Sequence, residues 1–279
     1  MTEEHIRELD ADALRLFERK GIEGGPYDPQ AGRMNGVKVR RIMQITRDLS
    51  TLPFHSLRIL DLGCGEGVYA IEAGLRGAQV VALDARNERM DKGAACAGRH
   101  GLGTVRFFRE DVRRVTQETF GSFDVVYFLG LLYHLDASDV FSVMESVFRL
   151  CDRLLLVDTL ISLTAEDSVE WRGRTYAGRR CREHEDGDSD QVRRGRLLRS
   201  IDNTFSFRFT RESLLRALHD TGFTSVFECC VPFEPGKASD RITLAALKGV
   251  PVLLSTYPWV NHKSEAEIER EGFDHRPQP

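Results

Sequence analysis

The sequence predicts an α/β fold in which one parallel sheet is covered by helices on both faces. Apolar runs of strand length alternate with helical patterns between residues 58 and 158, which is typical of βαβ units. Those runs are nearly continuously apolar, as in strands that are buried on both faces. The chain has 279 residues and 41% hydrophobic content, enough for one large core. A doubly wound sheet of this kind binds ligands beyond the carboxyl ends of its strands.

The first part of this core alternates between strands and helices, except between its third and fourth strands, where no helix is predicted. Strands are predicted at Arg58–Leu62, Gln79–Leu83, Thr104–Phe108, Phe123–Leu129 and Arg153–Asp158. Helices are predicted at Gly67–Arg76, Asn87–His100 and Ala137–Leu150. The pattern stops near Ile161 and resumes with a helix at Thr210–Asp220, whose N-cap is Thr210. Two further strands follow, at Thr224–Val231 and Arg241–Leu247.

The remaining segments differ in composition from this core. Residues 1–52 are expected to form an N-terminal helical cover, with helices over 2–20 and 37–49 and a Gly- and Pro-rich loop over 21–36. The core is expected over 53–160 and again over 209–249. Residues 161–208 are dense in charge and are expected to form a lid, and residues 250–279 a surface tail.

The amino-acid composition limits the partners and the cellular compartment that we expect for this chain. The formal net charge is −4 and the pI is about 6.1, which gives no electrostatic reason to expect a nucleic-acid partner, although a local basic patch stays open. The six cysteines lack Cys-x-x-Cys spacing, so reduced thiols in the cytoplasm are expected rather than a zinc ribbon. No signal-like segment is present and no apolar run approaches the ~20 residues of a membrane helix, so we expect no membrane partner.

The most informative run is Ile-Leu-Asp-Leu-Gly-Cys-Gly-Glu-Gly, from Ile59 to Gly67. It predicts a strand that carries Asp61 near its end, then three alternating glycines, then a helix. Glycines let the backbone turn sharply and approach a ligand closely. A dinucleotide fingerprint would require glycine at position 68, which is Val68, so the spacing argues against NAD and FAD.

This run resembles the first motif of the class I S-adenosylmethionine (SAM) methyltransferases. The resemblance implies that the glycine turn lies against the methionine part of SAM and that Asp61 holds its amino acid end. Asp84, one strand later, would accept hydrogen bonds from the ribose hydroxyls. Asp111 and Val112, after the third strand, would contact the adenine. Asp84 and Asp111 also suit a second interpretation, since aspartate is a common helix N-cap.

The segment FDVVYFLGLLYHLD, from Phe123 to Asp136, is similar to the fourth motif of the same family. The resemblance spans about Arg58 to Asp158 and implies a Rossmann-like, mostly parallel sheet of seven strands with an antiparallel last strand. It implies SAM as the cofactor, bound by residues at successive strand ends: Asp61, Gly63, Cys64, Gly65, Gly67, Asp84, Ala85, Asp111, Val112 and Leu129.

Tyr133 and His134 are the candidate catalytic residues. They lie where the acceptor approaches the methyl group in this family, and histidine commonly serves as a general base near neutral pH. The alternative for His134 is that it packs against or caps its loop, and Tyr133 is either a substrate-facing phenol or a wall of the cofactor pocket. Tyr-His-Leu at this point is similar to tRNA wobble-uridine carboxymethyl-transferring enzymes and to many small-molecule methyltransferases, and Asp158-Thr159 fits the same subset.

The predicted lid carries aromatic and cationic residues: Trp171, Arg172, Arg174, Tyr176, Arg179, Arg180, Arg182 and His184. They suit an anionic or planar acceptor, and a solvated mixed-charge loop is the alternative. Glu183, His184 and Glu185 are consecutive, so their side chains diverge rather than converge on a metal. The loop Gly130–His134 lacks the carboxylates of catechol-type, metal-dependent methyltransferases, so we expect no catalytic metal.

Three functions follow from these patterns. The leading one is a SAM-dependent methyltransferase that acts on a small-molecule acceptor of specialised metabolism. The second is a tRNA-modifying alkyl transferase, which would need a basic surface around Arg33, Lys38, Arg40 and Arg41. The third is a non-catalytic cofactor-binding partner subunit, against which the intact glycine motif argues. The sequence fixes neither the atom that is methylated nor the oligomeric state.

Overall fold

The computed structural model describes residues 29–230 and 238–252. Within them lie ten strands: β1 (Arg58–Leu62), β2 (Gln79–Asp84), β3 (Val105–Arg109), β4 (Phe123–Leu129), β5 (Cys151–Leu160), β6 (Asp167–Trp171), β7 (Arg174–Arg182), β8 (Phe205–Phe209), β9 (Ser225–Glu228) and β10 (Arg241–Leu247). Seven of them form the main sheet, in the order β3-β2-β1-β4-β5-β10-β9, and β6-β7-β8 form a second sheet.

The helices lie between these strands: α1 (Pro29–Ser50), α2 (Val68–Leu75), α3 (Asn87–Arg99), α4 (Gln117–Phe120), α5 (Val140–Leu150), α6 (Asp190–Gly195) and α7 (Arg211–Thr221). Short 3-10 helices occupy Phe54–Ser56, Val112–Arg114 and Leu132–His134. Thr210 caps α7, since its side chain accepts a hydrogen bond from the Ser213 N–H. A search of the described helices finds none with the length and apolar character that a membrane crossing requires.

The main sheet has the topology that the sequence predicts. β1 pairs in parallel with β2 and β4, and β3 and β5 extend the parallel set outward. β10 is antiparallel to both of its neighbours, β5 and β9. The prediction of a seven-stranded, mostly parallel Rossmann-like sheet with an antiparallel last strand is therefore confirmed.

Each face of the sheet carries its own apolar core. Along β1, Ile59 and Leu60 are both 0% exposed, yet they belong to opposite clusters because successive side chains of a strand alternate between faces. Val39 and Ile42 of α1 pack in the cluster with Ile59. Phe141 of α5 packs in the cluster with Leu60. The helical cover on both faces is what makes these strands continuously apolar.

The N-terminal prediction needs one correction. Residues 29–36, expected to be part of a loop, lie within α1, whereas the helix predicted over 2–20 and most of the predicted tail fall outside the described residues. Proline is tolerated in a first helical turn because its missing N–H has no partner there. A helical glycine costs only about 1 kcal/mol, which the packing of Ile42 and Met43 against the sheet outweighs.

The segment predicted as a lid contains the second sheet, which the sequence did not predict. β7 pairs antiparallel with both β6 and β8. Tyr176, Phe207 and Phe209 of this sheet are buried, and the half-buried Trp171 stacks on Phe141 of α5 with ring centroids 4.7 Å apart. Tyr176 of β7 also donates a hydrogen bond to Asp220 of α7. The residues between β7 and β8, 183–204, are called the cover segment below.

Candidate active site

The turn from β1 into α2 is shaped by its three glycines. Gly63, Gly65 and Gly67 have φ angles of +67°, +54° and +76°. Residues other than glycine rarely adopt such positive φ angles. A Cβ at Gly67 would lie 2.6 Å from the Cε1 atom of Phe107. A Cβ at Gly63 would lie 2.9 Å from the Cδ2 atom of Leu131. Glycine is therefore strongly favoured at all three positions by the φ angles, and at Gly63 and Gly67 also by the lack of space for a Cβ.

Asp84, at the end of β2, ties the glycine turn to the sheet. Its Oδ2 accepts from the Gly65 N–H and its Oδ1 from the Arg86 N–H, both at 2.9 Å. Each carboxylate oxygen retains a second lone pair, and the residue lies in the wall of the cavity described below. The carboxylate thus organises the backbone and still has acceptors for ligand hydroxyls.

Asp61 is buried beneath this turn with an unsatisfied oxygen. Burial raises its pKa to about 7, helped by the nearby charge of Asp84 and opposed by a hydrogen bond from the Ala70 backbone N–H. Among residues 29–230 and 238–252, the Oδ2 atom has no hydrogen-bond partner, which is unfavourable for a buried carboxyl group. A ligand ammonium would supply the missing donor. The orphan oxygen and the glycine cradle therefore fit the amino acid end of SAM.

Asp111 follows β3 and is engaged by Arg113. It caps the 3-10 helix Val112–Arg114 through the Arg113 N–H, and it accepts from the Arg113 Nη2 atom at 2.6 Å. Burial works against ionisation of Asp111, but the hydrogen bonds from Arg113 outweigh it and lower the pKa. Arg113 also donates to Asp202 of the cover segment at 2.7 Å, so this ion pair joins the core to the cover.

A cavity of about 600 Å³ opens at the carboxyl ends of the parallel strands, a size typical of ligand pockets. Its wall includes seven of the residues that the sequence singles out: Gly63, Asp84, Ala85, Asp111, Val112, Tyr133 and His134. The other five are outside the wall: Asp61, Cys64, Gly65, Gly67 and Leu129. The structure thus brings both candidate catalytic residues into the same cavity as the residues expected to contact ribose and adenine.

His134 is paired with a carboxylate from the cover segment. Its Nδ1 lies 3.1 Å from the Oε1 atom of Glu183, which is 4% exposed. Glu183 also accepts from the Ser200 N–H at 2.9 Å and the Ser206 hydroxyl at 2.8 Å. Burial alone would raise the pKa of Glu183, but His134 and these donors outweigh it and lower the pKa. An anion at Nδ1 favours a proton there, which leaves Nε2 as the basic nitrogen of the ring.

Glu183 is a candidate functional residue that the sequence alone does not single out. In the sequence it is only a neighbour of His184, and 49 positions separate it from His134. His184 itself is buried and its Nε2 contacts the Ser200 carbonyl at 3.0 Å, so it supports the cover segment. Across residues 29–230 and 238–252, no group of three or more His, Cys, Asp or Glu side chains is arranged to hold a metal.

The cationic residues expected to face the acceptor lie elsewhere. None of the eight aromatic and cationic residues singled out between Trp171 and His184 is in the cavity wall. Arg172 pairs with Glu145 and Arg179 with Glu166 on the outer surface, because β6 and β7 turn those side chains away from the cavity. The arginines that do line it are Arg86, Arg89, Arg113, Arg199 and Arg208.

The cover segment is fixed to the core through its backbone carbonyls and through polar side chains. Arg86 donates to the carbonyls of Arg199 at 2.8 Å and Ser200 at 3.1 Å. Asn203 donates to the carbonyl of His134 at 3.1 Å. These contacts hold the cover across the cavity next to His134.

Comparisons with known proteins agree with this architecture. A family model described as a methyltransferase domain matches residues 59–153. A ubiquinone biosynthesis O-methyltransferase of Brucella anthropi is 27% identical over 169 residues, which are 57% of this chain and 67% of that protein. One from Xanthomonas oryzae pv. oryzae is 33% identical over 151 residues, 54% of this chain and 57% of that protein. The chain thus spans less than two thirds of the Xanthomonas relative.

Solved structures share the fold over most of the chain. The N-terminal domain of EvdMO1, in a structure with S-adenosylhomocysteine (SAH) and D-fucose, aligns with a TM-score of 0.61 and 20% identity, covering 89% of this chain and 98% of that one. Magnesium protoporphyrin IX methyltransferase from Synechocystis PCC 6803, with bound SAH, aligns at 0.53 and 18% identity, covering 86% and 94%. Residues 59–153 thus match a methyltransferase domain, and the glycine turn and the strand order are those of the class I, Rossmann-like SAM methyltransferase fold.

Proposed function

We propose that this chain transfers the methyl group of SAM to a hydroxyl oxygen of a small-molecule acceptor, with His134 as the general base. The observation that carries the proposal is the pair of His134 and the buried, anionic Glu183 at the cavity wall. A base is needed for a hydroxyl acceptor, which must lose its proton during transfer. The O-methyltransferase relatives support the same choice of atom.

The core side of the cavity would hold the cofactor. Bound SAM supplies a methyl group that is already activated by a positively charged sulfur. Asp61 would accept from the ammonium group, Asp84 from the ribose hydroxyls, and Asp111 with Val112 would meet the adenine. The glycine turn lets the backbone approach the ligand, since its three glycines carry no Cβ.

The opposite side would position and deprotonate the acceptor. The acceptor hydroxyl would donate to His134 Nε2, which takes the proton as the methyl group is transferred, and Glu183 would stabilise the resulting imidazolium. The Tyr133 ring lies against His134 with centroids 4.2 Å apart, which restrains the base. The cover segment would shield the reacting atoms from water. Orientation of the acceptor towards the methyl group contributes up to about 7–11 kcal/mol to the lowering of the barrier in favourable cases.

The two alternative functions have less support. A tRNA substrate would need a basic surface, but Arg41, one of the residues expected to form it, is buried and only 1% exposed. A cavity of this size suits a small molecule. A non-catalytic subunit has no use for a carboxylate that orients a histidine in a cofactor cavity. The six cysteines are free thiols, which supports a cytoplasmic site of action.

The proposal is tested by methyl transfer from labelled SAM to a panel of phenols and catechols, with wild type and His134→Ala. We expect turnover to fall by about 10²- to 10⁴-fold in the variant, while SAH affinity by calorimetry stays unchanged. His100→Ala, outside the cavity wall, is the control. Unchanged turnover in His134→Ala would rule out His134 as the general base. Absence of SAH binding by the wild type would rule out the proposed methyltransferase activity itself.

A further inference from the structure

Arg208 differs from the other arginines in the cavity wall. Arg86, Arg89 and Arg199 donate to backbone carbonyls, and Arg113 donates to carboxylates. Within the described part of the chain, the guanidinium of Arg208 has no hydrogen bond or ion pair to the protein. Its Nε atom is buried and has no hydrogen-bond partner among the residues that the structure describes.

This arrangement is unfavourable unless a ligand completes it. A buried donor of a charged group costs free energy when it has no acceptor. The guanidinium is planar and presents parallel N–H donors that match the two oxygens of a carboxylate. β8 fixes the position of Arg208, because its neighbours Phe207 and Phe209 are buried in the core.

The neighbouring Arg241 provides the contrast. Both guanidinium groups lie about equally far from the Tyr133 ring, with Cζ at 5.8 Å for Arg208 and 5.9 Å for Arg241. Arg241, however, is neutralised by the buried carboxylate of Asp158, which accepts from its Nε at 2.6 Å. The uncompensated positive charge beside Tyr133 therefore belongs to Arg208.

We propose that Arg208 binds a carboxylate of the acceptor, so that the substrate is a hydroxylated carboxylic acid. Tyr133 contacts both residues, with its ring against His134 on one side and within reach of Arg208 on another. One small molecule can therefore place its carboxylate at Arg208 and its hydroxyl at the base. This inference rests on the proposed function, since it names the acceptor class of the same site.

A matched pair of acceptors tests it, 3,4-dihydroxybenzoate and its neutral analogue 3,4-dihydroxybenzamide. We expect the wild type to prefer the acid and Arg208→Gln to lower kcat/KM for the acid by about 10- to 100-fold, chiefly through KM, as expected for loss of a charged hydrogen bond. The amide should change by less than about twofold on the same scale. Arg208→Lys should recover part of the loss. Arg180→Gln, exposed on β7 of the same small sheet, is the control.

Binding of benzoate to the SAH-saturated protein gives a readout without turnover. Calorimetry should detect benzoate with the wild type and Arg180→Gln, and not with Arg208→Gln, whose melting temperature serves as the check on folding. Equal use of acid and amide, or benzoate binding that survives in Arg208→Gln, overturns the carboxylate site and leaves the proposed methyl transfer standing. Benzoate binding through Arg208 without methylation of either catechol overturns the proposed function instead.

Discussion

The two sides of the cavity are built in different ways. The core side comes from consecutive strand ends, where Asp84 and the glycine turn are fixed by backbone hydrogen bonds and by positive φ angles. The opposite side comes from β8 and the cover segment, where Glu183 and Arg208 reach the cavity through long-range packing. Under the proposed function, recognition of the cofactor is expected to be local and backbone-driven, whereas recognition of the acceptor depends on side chains that only the tertiary fold brings together.

The largest expected effect is that of disrupting the glycine turn at Gly67, on the core side of the cavity. Gly67→Ala places a Cβ against Phe107 and requires a φ of +76° from alanine, so we expect SAH affinity to fall by roughly 100-fold or more, with loss of stability. Calorimetry and thermal melting measure both. Gly98→Ala, a helical position with open space around it, should bind SAH normally and melt no lower. Equal behaviour of the two variants would contradict the role of the turn.

The next effect separates the two sides at Glu183. Glu183→Gln keeps the shape of the side chain but removes the charge that holds His134, and we expect kcat to fall by roughly 10- to 100-fold. SAH affinity should stay within about twofold of wild type, since the core side is intact. Glu185→Gln, on the exposed part of the cover segment, is the control. A parallel loss of SAH affinity would mean that Glu183 acts on the cofactor side.

A smaller effect concerns pH and Asp61. Its pKa is raised from 3.8 to about 7 in the ligand-free fold, so the stability that its protonated form provides is lost as pH rises through 7. An incoming ammonium favours the ionised form, so binding releases a proton below pH 7. SAH affinity should therefore rise by up to about tenfold per pH unit between pH 5 and 7 and level off above.

Asp61→Asn removes the titrating group and should flatten this pH dependence, with weaker binding above pH 7. The measurement is a series of SAH titrations by calorimetry in buffers of different ionisation enthalpy, which counts the protons released. A steep dependence that persists in Asp61→Asn would assign the linkage to another group.

The smallest expected effect is at the junction of the two sides. Arg86→Ala removes the donors that hold the carbonyls of Arg199 and Ser200, and we expect SAH to dissociate about three- to tenfold faster. Hydrogen exchange of the cover segment should rise in the same variant. Arg106→Ala, exposed on β3, should change neither quantity. An unchanged dissociation rate would show that the cover does not limit ligand exit.

The sequence predicts the core side of the cavity better than the side built from β8 and the cover segment. The bounds of β1 and β4 match the predicted strands residue for residue, because continuous apolar runs between turn signals are a local property. β7 is not predicted, because its sequence RTYAGRRCR resembles a solvated charged loop. Only the packing of Tyr176 against Phe141 in the folded chain shows that it is a strand of the core. Glu183 and Arg208 left no local signal, because their roles depend on what lies across the cavity.

The way in which Arg86 holds the cover has an evolutionary consequence. It donates to main-chain carbonyls, which all residue types present alike. Substitutions at Leu197, Leu198 or Ile201, which line the cavity, can therefore reshape the acceptor side without weakening this attachment. Descendants of one such scaffold are free to diversify in what they modify while the machinery that binds the methyl donor stays constant.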